Sequence, residues 1–415
     1  MTTSQEAGWW PKSKTPFAEI IARILKIYEQ NSSYFKNPML SFPGTPWHPI
    51  VAQVIQAIGP EHANNIGMHT GPGCSEQGFT GAQELERNVI YWLAKVLGSP
   101  NPVSLIDGFF VPGGTAGNQQ GIWMARNHIL QADPQARIIV ITSCLGHNSI
   151  AKAANLCGLT PEMSRGHHIF QTVRVDANGA MRLNELEALI KKNKNNYSFI
   201  IIPTLGTTLT GAADDLKKIW QMCHQYLSRE RYWIHCDAAF GGLVYPFLYP
   251  KRYLQWVDSM IVDFHKMGFA PYGAGIFMCR KETVEQTTAV TVEYINGIHD
   301  GTINGSRSGV IPAACWAIIQ ALGKQGFKEI TERCFALTKD LRNKMIELEK
   351  VAGATEPVIN QFAIWLKPGV VIPDEISQKF HLATMTRDGR TYIKFPVMPH
   401  AREELYELLI KWLDE

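Results

Sequence analysis

The middle of the chain alternates short apolar runs with segments in which apolar residues recur at helical spacing. Runs such as Ile138–Ile141 are apolar at every position, which is typical of strands covered by helices on both faces of a sheet. The pattern predicts an α/β domain built on a mostly parallel, seven-stranded sheet, with helices such as Ala212–Tyr226 between the strands. The predicted strands are Phe109–Val111, Ile138–Ser143, Ile169–Val175, Phe199–Pro203, Trp233–Asp237, Ser259–Asp263 and Ala274–Cys279.

The two ends of the chain differ in pattern from its centre. Residues 1–60 indicate an N-terminal arm with an amphipathic helix over Phe17–Tyr28. Residues 61–309 form the predicted large domain, and residues 310–415 form a smaller α+β domain. Its predicted elements are a long helical region, two strands and a final helix, over Ile311–Glu349, Phe362–Leu366, Thr391–Val397 and Arg402–Leu413.

Composition and charge narrow the classes of function. A hydrophobic content of 45% supports a large core, and 40 basic against 37 acidic residues leave a formal charge of only +3. This small charge argues against nucleic-acid binding. No apolar stretch approaches the ~20 residues of a membrane span, and the eight cysteines include no Cys-x-x-Cys pair. We therefore expect a cytoplasmic protein with buried free thiols, no membrane contact and no metal site.

A lysine, Lys266, stands just after the predicted strand Ser259–Asp263. Residues at the carboxyl end of an internal parallel strand face the crevice in which α/β proteins bind ligands. An amine in such a crevice is available to condense with an aldehyde. A single lysine at a strand end is more often structural, so its neighbours decide the interpretation.

Two of the other loops that follow predicted strands suit a phosphorylated aromatic cofactor. Asp237 ends a strand and is followed by two alanines, so a carboxylate lies beside small side chains such as Ala239. The glycine-rich turn over Val111–Gln119 precedes a helix, and its backbone N–H groups can cradle a phosphate together with a threonine hydroxyl. In isolation, the first is more often a helix cap and the second an ordinary turn.

Two further loops complete the set. His147 can stack on an aromatic ring and Ser149 can reach a phosphate, while Thr207 lies in a hydroxyl-rich loop that can bind a phenolic oxygen or orient Asp237. Pyridoxal 5′-phosphate (PLP) needs all of these partners, including a carboxylate that keeps its pyridine nitrogen protonated. Because each candidate follows a predicted strand, all of them should meet at one edge of the sheet, and we predict a PLP enzyme.

Three motifs carry a resemblance to a known family. The stretches HCDAAFGG, VDFHKMGFAPYGAGIF and GTINGSRSG resemble group II PLP-dependent amino-acid decarboxylases of fold type I. They are most similar to the compact tyrosine/aspartate decarboxylase branch, and they are also similar to sphingosine-phosphate lyase. The resemblance spans roughly residues 65 to 400 and implies a PLP-dependent transferase-like fold. It also implies a homodimer with shared active sites.

The resemblance assigns roles to individual residues. It implies that Lys266 carries PLP as a Schiff base, that Asp237 binds the pyridinium nitrogen and that His147 stacks on the ring. The residues that would hold the phosphate are Gly114, Thr115 and His265. The chain departs from the family where Ala116–Gly117 stands in place of the usual Glu-Ala, which weakens any role for residue 116 but leaves the backbone cradle intact.

Decarboxylation also requires a proton donor for the α-carbon. In this family a tyrosine on a mobile loop after the lysine has that role, and here it corresponds to Tyr294, in a segment rich in glycine and asparagine. Arg307 lies between serines and glycines and suits either a bound anion or a structural ion pair. Arg390 and Lys394 either bind a substrate carboxylate or are surface charges, and we favour surface charges.

The expected activity is α-decarboxylation of an L-amino acid, with tyrosine, aspartate and glutamate all left open. The main alternative is a carbon–carbon lyase of the sphingosine-phosphate lyase type, although the usual membrane anchor is missing. Other PLP chemistry, such as transamination or desulfuration, is less favoured, since no cysteine is obviously placed for desulfuration. A nucleotide-binding module that uses the Gly113–Gly117 turn, or an inactive PLP-binding scaffold, is the interpretation from a different class.

Overall fold

The computed structural model describes residues 14–34, 39–61, 63–71, 78–293, 298–387 and 389–415. The strands are β1 (Asn64–Asn65), β2 (Ile106–Val111), β3 (Ile138–Ser143), β4 (Ile169–Val173), β5 (Ser198–Ile202), β6 (Tyr232–Asp237), β7 (Ser259–Asp263), β8 (Gly275–Arg280), β9 (Val290–Val292), β10 (Ile298–Asp300), β11 (Arg307–Ser308), β12 (Val351–Ala354), β13 (Gln361–Leu366), β14 (Thr384–Arg387) and β15 (Arg390–Pro396). The α-helices are α1 (Phe17–Tyr28), α2 (Ile50–Ile58), α3 (Thr80–Val96), α4 (Pro102–Leu105), α5 (Gly114–Ala132), α6 (Asn148–Leu156), α7 (Pro161–Ser164), α8 (Leu183–Asn193), α9 (Leu216–Tyr226), α10 (Tyr245–Leu248), α11 (Phe264–Met267), α12 (Thr283–Thr287), α13 (Val310–Ile346), α14 (Asp374–Phe380) and α15 (Glu404–Asp414).

The large domain is organised around one mixed sheet. Within the described residues this sheet has seven strands in the order β2-β8-β7-β6-β5-β3-β4. Only β8 runs against its neighbours, so the other six strands end at the same edge. Residues 264–274 connect β7 to β8, and this connection is shorter than the dozen or more residues that a parallel crossover needs. The predicted mostly parallel sheet is confirmed.

Side chains of the buried strands alternate between two hydrophobic layers. On β3, Ile139 and Ile141 pack in the layer that includes α8 and α9, whereas Ile138 and Val140 pack against α5 and α6 on the other face. All six residues of β3 are buried. The apolar runs of the sequence therefore reflect helices on both faces, as predicted.

The C-terminal sheet contains more strands than the sequence pattern predicts. It has the order β12-β13-β15-β14 in the described residues, and all of its pairings are antiparallel. The predicted strands correspond to β13 and β15, which lie at its centre. The edge strands were missed because β12 contains Gly353 and β14 is mostly exposed, so neither has a continuous apolar face.

Long helix α13 packs against both domains. It contacts α2 and α3 of the first part of the chain and β12 and β13 of the small sheet. Its helical dihedral angles are interrupted at Gly323, where φ is 59°. A left-handed conformation of this kind is readily adopted by glycine, and it lets the two halves of the helix pack in different directions.

Helix α9 begins later than the predicted residue 212. Ala212 accepts hydrogen bonds from Gly206 N and Thr207 N, and so belongs to the preceding loop. The side chain of Asp215 then accepts a hydrogen bond from Lys218 N and caps the helix. The loop therefore competes with the helix for these backbone groups.

Arg307 lies in a buried ion-pair cluster. Glu86 of α3 accepts hydrogen bonds from Arg307 Nη2 (3.3 Å), Phe110 N (2.8 Å) and Asn65 Nδ2 (2.6 Å), and it lies 2.9 Å from His69 Nδ1. Burial alone would raise the pKa of Glu86, but Arg307 and His69 outweigh that effect and lower the pKa to about 2. Of the two roles considered for Arg307, the structure shows the ion pair, which ties β1 and β11 to the strand that leads into the glycine-rich turn.

The exposure of helix α1 and the apolar character of the helices bear on the sequence predictions. Helix α1 matches the predicted helix, but it has no buried residue and exposes Phe17 and Leu25 by 86% and 61%. None of the helices in the described part of the chain has the length and apolar character needed to cross a bilayer.

Candidate active site

Loops from the shared edge of the large sheet surround a cavity of about 540 Å³. Seven of the predicted site residues line it: Gly114, Thr115, His147, Asp237, Ala239, His265 and Lys266. They come from the ends of β2, β3, β6 and β7. The common direction of these strands brings together side chains that are up to 152 positions apart in the sequence, between Gly114 and Lys266.

Lys266 lies on the one-turn helix α11 directly after β7. Its Nζ atom is 3.4 Å from Asp263 Oδ2, and the same carboxylate oxygen is 3.4 Å from His265 Nε2. The other oxygen, Asp263 Oδ1, is buried and has no hydrogen-bond partner in the described residues. The sequence interpretation gave Asp263 no role, although its position as the last residue of β7 was the available signal.

The start of α5 forms the candidate phosphate site. The first N–H groups of a helix have no intrahelical acceptor and carry partial positive charge, so they favour an anion. A Cβ atom on Gly114 would lie 3.1 Å from Ala239 Cβ and 3.2 Å from Asp263 Oδ2, so glycine keeps this corner open. His265 Nδ1 is buried and has no hydrogen-bond partner among the residues that the structure describes, and burial lowers the pKa of His265 despite the nearby Asp263. These uncommitted groups fit a phosphate.

Asp237 is held as a hydrogen-bond acceptor at the floor of the cavity. Its Oδ2 atom accepts from Asn118 Nδ2 at 2.9 Å, and its Oδ1 atom accepts from Ala239 N at 3.2 Å. The side chain is almost fully buried, yet it contributes to the cavity lining. A carboxylate in this state fits a protonated pyridine nitrogen. Asn118 was not recognised from the sequence, although it lies within the glycine-rich turn segment.

His147 caps helix α6 and lines the cavity in an uncharged form. Its Nδ1 atom accepts from Ser149 N at 3.2 Å and lies 2.7 Å from Ser149 Oγ. Burial lowers the pKa of His147, even though the nearby Asp237 opposes this shift. Ser149 is fully buried, and its hydroxyl lies between His147 and Asn118 and does not line the cavity. Its contact with the phosphate stays a prediction.

The hydroxyl-rich loop contributes a different threonine from the predicted one. Thr207 is fully buried, its Oγ1 atom is 2.8 Å from Thr210 Oγ1, and it does not line the cavity. The Thr207 hydroxyl is paired within the loop, and its assignment as a cofactor contact stays a prediction. Thr204 lines the cavity, and its buried hydroxyl has no partner in the described residues. Thr204 is the second residue after β5, at the edge of the sheet that borders the cavity.

Asp214 holds the backbone of this loop. Its carboxylate accepts from Thr204 N at 2.8 Å and from Met181 N at 2.7 Å. Full burial raises the pKa of Asp214 to about 6, although both backbone hydrogen bonds act in the opposite direction. The position of Thr204 is thus fixed from behind by a buried side chain.

Lys394 differs from the expectation that it is a surface charge. It is only partly exposed, and its pKa is lowered by burial and by the charge of Lys266. The ammonium group therefore lies within electrostatic range of the candidate site.

Two further predicted residues are not placed in the cavity by the structure. Arg390 is exposed, and its guanidinium lies 5.3 Å from the ring centroid of Trp365, as expected of a surface residue. Tyr294 lies outside the described residues, between the paired strands β9 and β10.

Comparison with known proteins agrees with the geometry. Residues 78–367, well over half of the chain, match the family described as the pyridoxal-dependent decarboxylase conserved domain. The chain belongs to the pyridoxal-dependent decarboxylase family. It is accordingly a PLP-dependent amino-acid decarboxylase, and the partners that PLP requires are present in the cavity.

Individual relatives refine the comparison. A probable L-tyrosine/L-aspartate decarboxylase of Methanothermobacter thermautotrophicus is 30% identical over 81% of this chain and 88% of its own length. The crystal structure of L-methionine decarboxylase from Streptomyces sp. 590 has a TM-score of 0.81 at 18% identity, covering 99% of this chain and 98% of that one. A sphingosine-1-phosphate lyase of Burkholderia pseudomallei reaches 0.78 at 15% identity, covering 99% and 94%. Both structures show the fold alone, so the choice of decarboxylation over carbon–carbon cleavage depends on the family and the sequence relative.

We predict that Lys266→Ala abolishes covalent attachment of the cofactor, because Lys266 is the lysine beside Asp263 in the part of the chain that the structure describes. Borohydride reduction of the PLP-loaded protein, followed by peptide mass spectrometry, should find the cofactor mass on the Lys266 peptide of the wild type and nowhere in the variant. Lys394→Ala is the matched control and should keep the adduct. An adduct that survives in Lys266→Ala would show that another lysine carries the cofactor.

Proposed function

We propose that this decarboxylase acts on L-amino acids with an aromatic side chain and releases carbon dioxide and the corresponding amine. The Methanothermobacter relative described above is named for two substrates, the aromatic amino acid L-tyrosine and the acidic amino acid L-aspartate. An aspartate side chain brings a second carboxylate into the cavity, and a buried carboxylate requires its own cation or hydrogen-bond donors. An acidic substrate therefore needs two cations or sets of donors in the cavity, whereas an aromatic substrate needs only one.

The charges around the cavity favour a substrate with one carboxylate. Lys394 offers one ammonium group that no carboxylate of the described residues pairs with, and this group suits the α-carboxylate. Arg307 is neutralised by Glu86. Burial lowers the pKa values of His147 and His265, so both imidazoles are neutral near pH 7. In the described residues, this leaves no second permanent cation for an acidic side chain.

Aromatic side chains on the cavity wall support the same choice. Phe240 and Tyr272 line the cavity, and the ring of Tyr272 is 63% exposed. Its centroid lies 4.8 Å from that of His265, so the ring stands beside the candidate phosphate and lysine positions. Aromatic faces of this kind attract a second aromatic ring by offset or edge-to-face packing.

The residues divide the chemical work between them. PLP, when bound, supplies the sink for the electron pair that carbon dioxide leaves on the α-carbon. Lys266 provides the amine that holds the cofactor, Asp237 keeps the ring nitrogen protonated and His147 covers the ring. We propose that Tyr294 donates a proton from its hydroxyl to the α-carbon, so that one carboxylate is replaced by one proton.

We also propose that two copies of the chain associate as a homodimer. The exposed apolar face of α1 supports this, because Phe17, Leu25 and Tyr28 would otherwise remain in water. The family resemblance implies a homodimer, so we propose that a second copy of the chain covers this face of α1. Sedimentation equilibrium should report twice the mass of one chain at micromolar concentration, and a monomer would contradict the proposal.

A panel of carboxyl-labelled amino acids tests the substrate class. We expect kcat/KM for L-tyrosine or L-tryptophan to exceed that for L-aspartate and L-glutamate by about 10²-fold, since an unpaired carboxylate is costly to bury. The measurement is labelled carbon dioxide released by the PLP-loaded protein, with L-methionine as the uncharged, non-aromatic comparison. Preference for L-aspartate would overturn the aromatic proposal while leaving the decarboxylase family intact.

The proton donor is tested by Tyr294→Phe. We expect this variant to bind PLP normally but to form amine about 10²–10⁴ times more slowly, the range for loss of a positioned acid. Tyr226→Phe is the control, because the Tyr226 hydroxyl contacts Glu187 far from the cavity and its loss should leave the rate unchanged. Wild-type rates in Tyr294→Phe would exclude the tyrosine as the acid.

A further inference from the structure

A continuous row of buried polar side chains lies behind Asp237. Trp233, His235 and Asp237 are alternate residues of β6, so their side chains share one face of the strand. Ser259 of β7 is directly opposite His235 in the strand register, and Asn118 of α5 lies over the same face. All five side chains are at least 95% buried. Buried polar groups are costly unless they are paired, so the order of their hydrogen bonds is physically constrained.

The row has a direction that begins at Trp233. Its Nε1 atom lies 3.0 Å from Ser259 Oγ, and an indole nitrogen can donate but cannot accept. Ser259 Oγ therefore accepts from Trp233. Its own proton goes to His235 Nδ1 at 2.8 Å, because Asp237 holds the amide nitrogen of Asn118 and so turns Asn118 Oδ1 toward His235 Nε2, which must carry the imidazole proton. His235 then carries its proton on Nε2 and donates it to Asn118 Oδ1 at 3.0 Å.

His235 is neutral, so it has a single proton to donate. Full burial lowers the pKa of His235 to about 4, and the opposing effect of Asp237 is smaller. Helix α5 makes room for the ring at Gly121, where an added Cβ atom would come within 2.3 Å of His235 Nδ1. The acceptor Asn118 Oδ1 therefore fixes the tautomer of His235, Ser259 supplies the matching donor to Nδ1, and no larger residue at position 121 would leave space for the ring.

Asn118 splits the row into two branches. With its oxygen bound to His235, its amide nitrogen donates to Asp237 Oδ2 at 2.9 Å and to Ser149 Oγ at 2.8 Å. The reversed amide would bring an oxygen against the carboxylate, which is repulsive. Because Ser149 Oγ accepts from Asn118, its hydroxyl proton goes to His147 Nδ1, and the N–H of His147 is then on Nε2.

We propose that Trp233, Ser259, His235 and Asn118 form a one-way hydrogen-bond relay that keeps Asp237 an acceptor and fixes the tautomer of His147. Asn118 and His235 are positioning residues, since they act on the cofactor only through Asp237 and His147. The relay thereby sets the protonation of the PLP ring nitrogen. This inference depends on the cofactor and not on the aromatic substrate proposed above, so it can fail or hold independently of that proposal.

The test is the protonation state of PLP labelled with ¹⁵N in its ring and bound to the protein. In the wild type, the ¹⁵N chemical shift should be that of a protonated pyridine. Ser259→Ala removes the donor to His235 Nδ1, and Asn118→Leu removes the amide that donates to both Asp237 and Ser149, at similar volume. We expect each variant to move the shift toward the unprotonated value and to weaken PLP binding about tenfold, the upper range for one lost buried hydrogen bond.

Thr331→Val is the matched control, because it removes a buried hydroxyl whose hydrogen bond to Phe327 O lies away from the relay. It should leave the ¹⁵N shift and the PLP affinity unchanged. If Asn118→Leu does not fold, Ser259→Ala carries the test by itself. A folded, PLP-bound Ser259→Ala protein with a wild-type ¹⁵N shift would show that the row is structural packing and would overturn the proposal.

Discussion

The shared direction of six strands in the central sheet is the constraint on which the rest of the site depends. Parallel strands end at the same edge, so the residues after β2, β3, β5, β6 and β7 meet although long helices separate them in the sequence. Hydrophobic layers on both faces fix the sheet, and the strand ends inherit that rigidity. Lys266 and Asp237 therefore have defined positions before any cofactor binds.

Buried polar groups divide this site into a supporting side and a binding side. Behind Asp237, the side chains of Asn118, His235 and Ser259 are hydrogen-bonded to one another. These hydrogen bonds offset the desolvation cost of burying the polar groups and fix their orientation. At the front, the Oδ1 atom of Asp263 and the Nδ1 atom of His265 have no partner in the described residues. Unpaired buried groups are rare in proteins, and here they lie where PLP would supply the missing partners.

Charge also links the fold to substrate choice. Arg307 forms an ion pair with Glu86 that holds β1 and β11 against the large domain. Lys394 of the small domain is partly buried, and burial together with the charge of Lys266 lowers its pKa. The proposed pairing of a substrate carboxylate with Lys394 would therefore link the small domain to the cofactor site of the large one.

The sequence by itself predicted the seven strands of the large sheet, their order along the chain and the placement of Lys266, Asp237 and His147 after strand ends. Apolar runs and residues at strand ends are local signals, because strand burial and sheet-edge exposure impose them position by position. Only the tertiary structure decided that Thr204 lines the cavity, that the Thr207 and Ser149 side chains are buried, and that Lys394 is partly buried. It also revealed the contact between Asn118 and His235, which are 117 residues apart. Hydrogen-bond partners at such separations are chosen by packing across the sheet, and no spacing within the sequence records that choice.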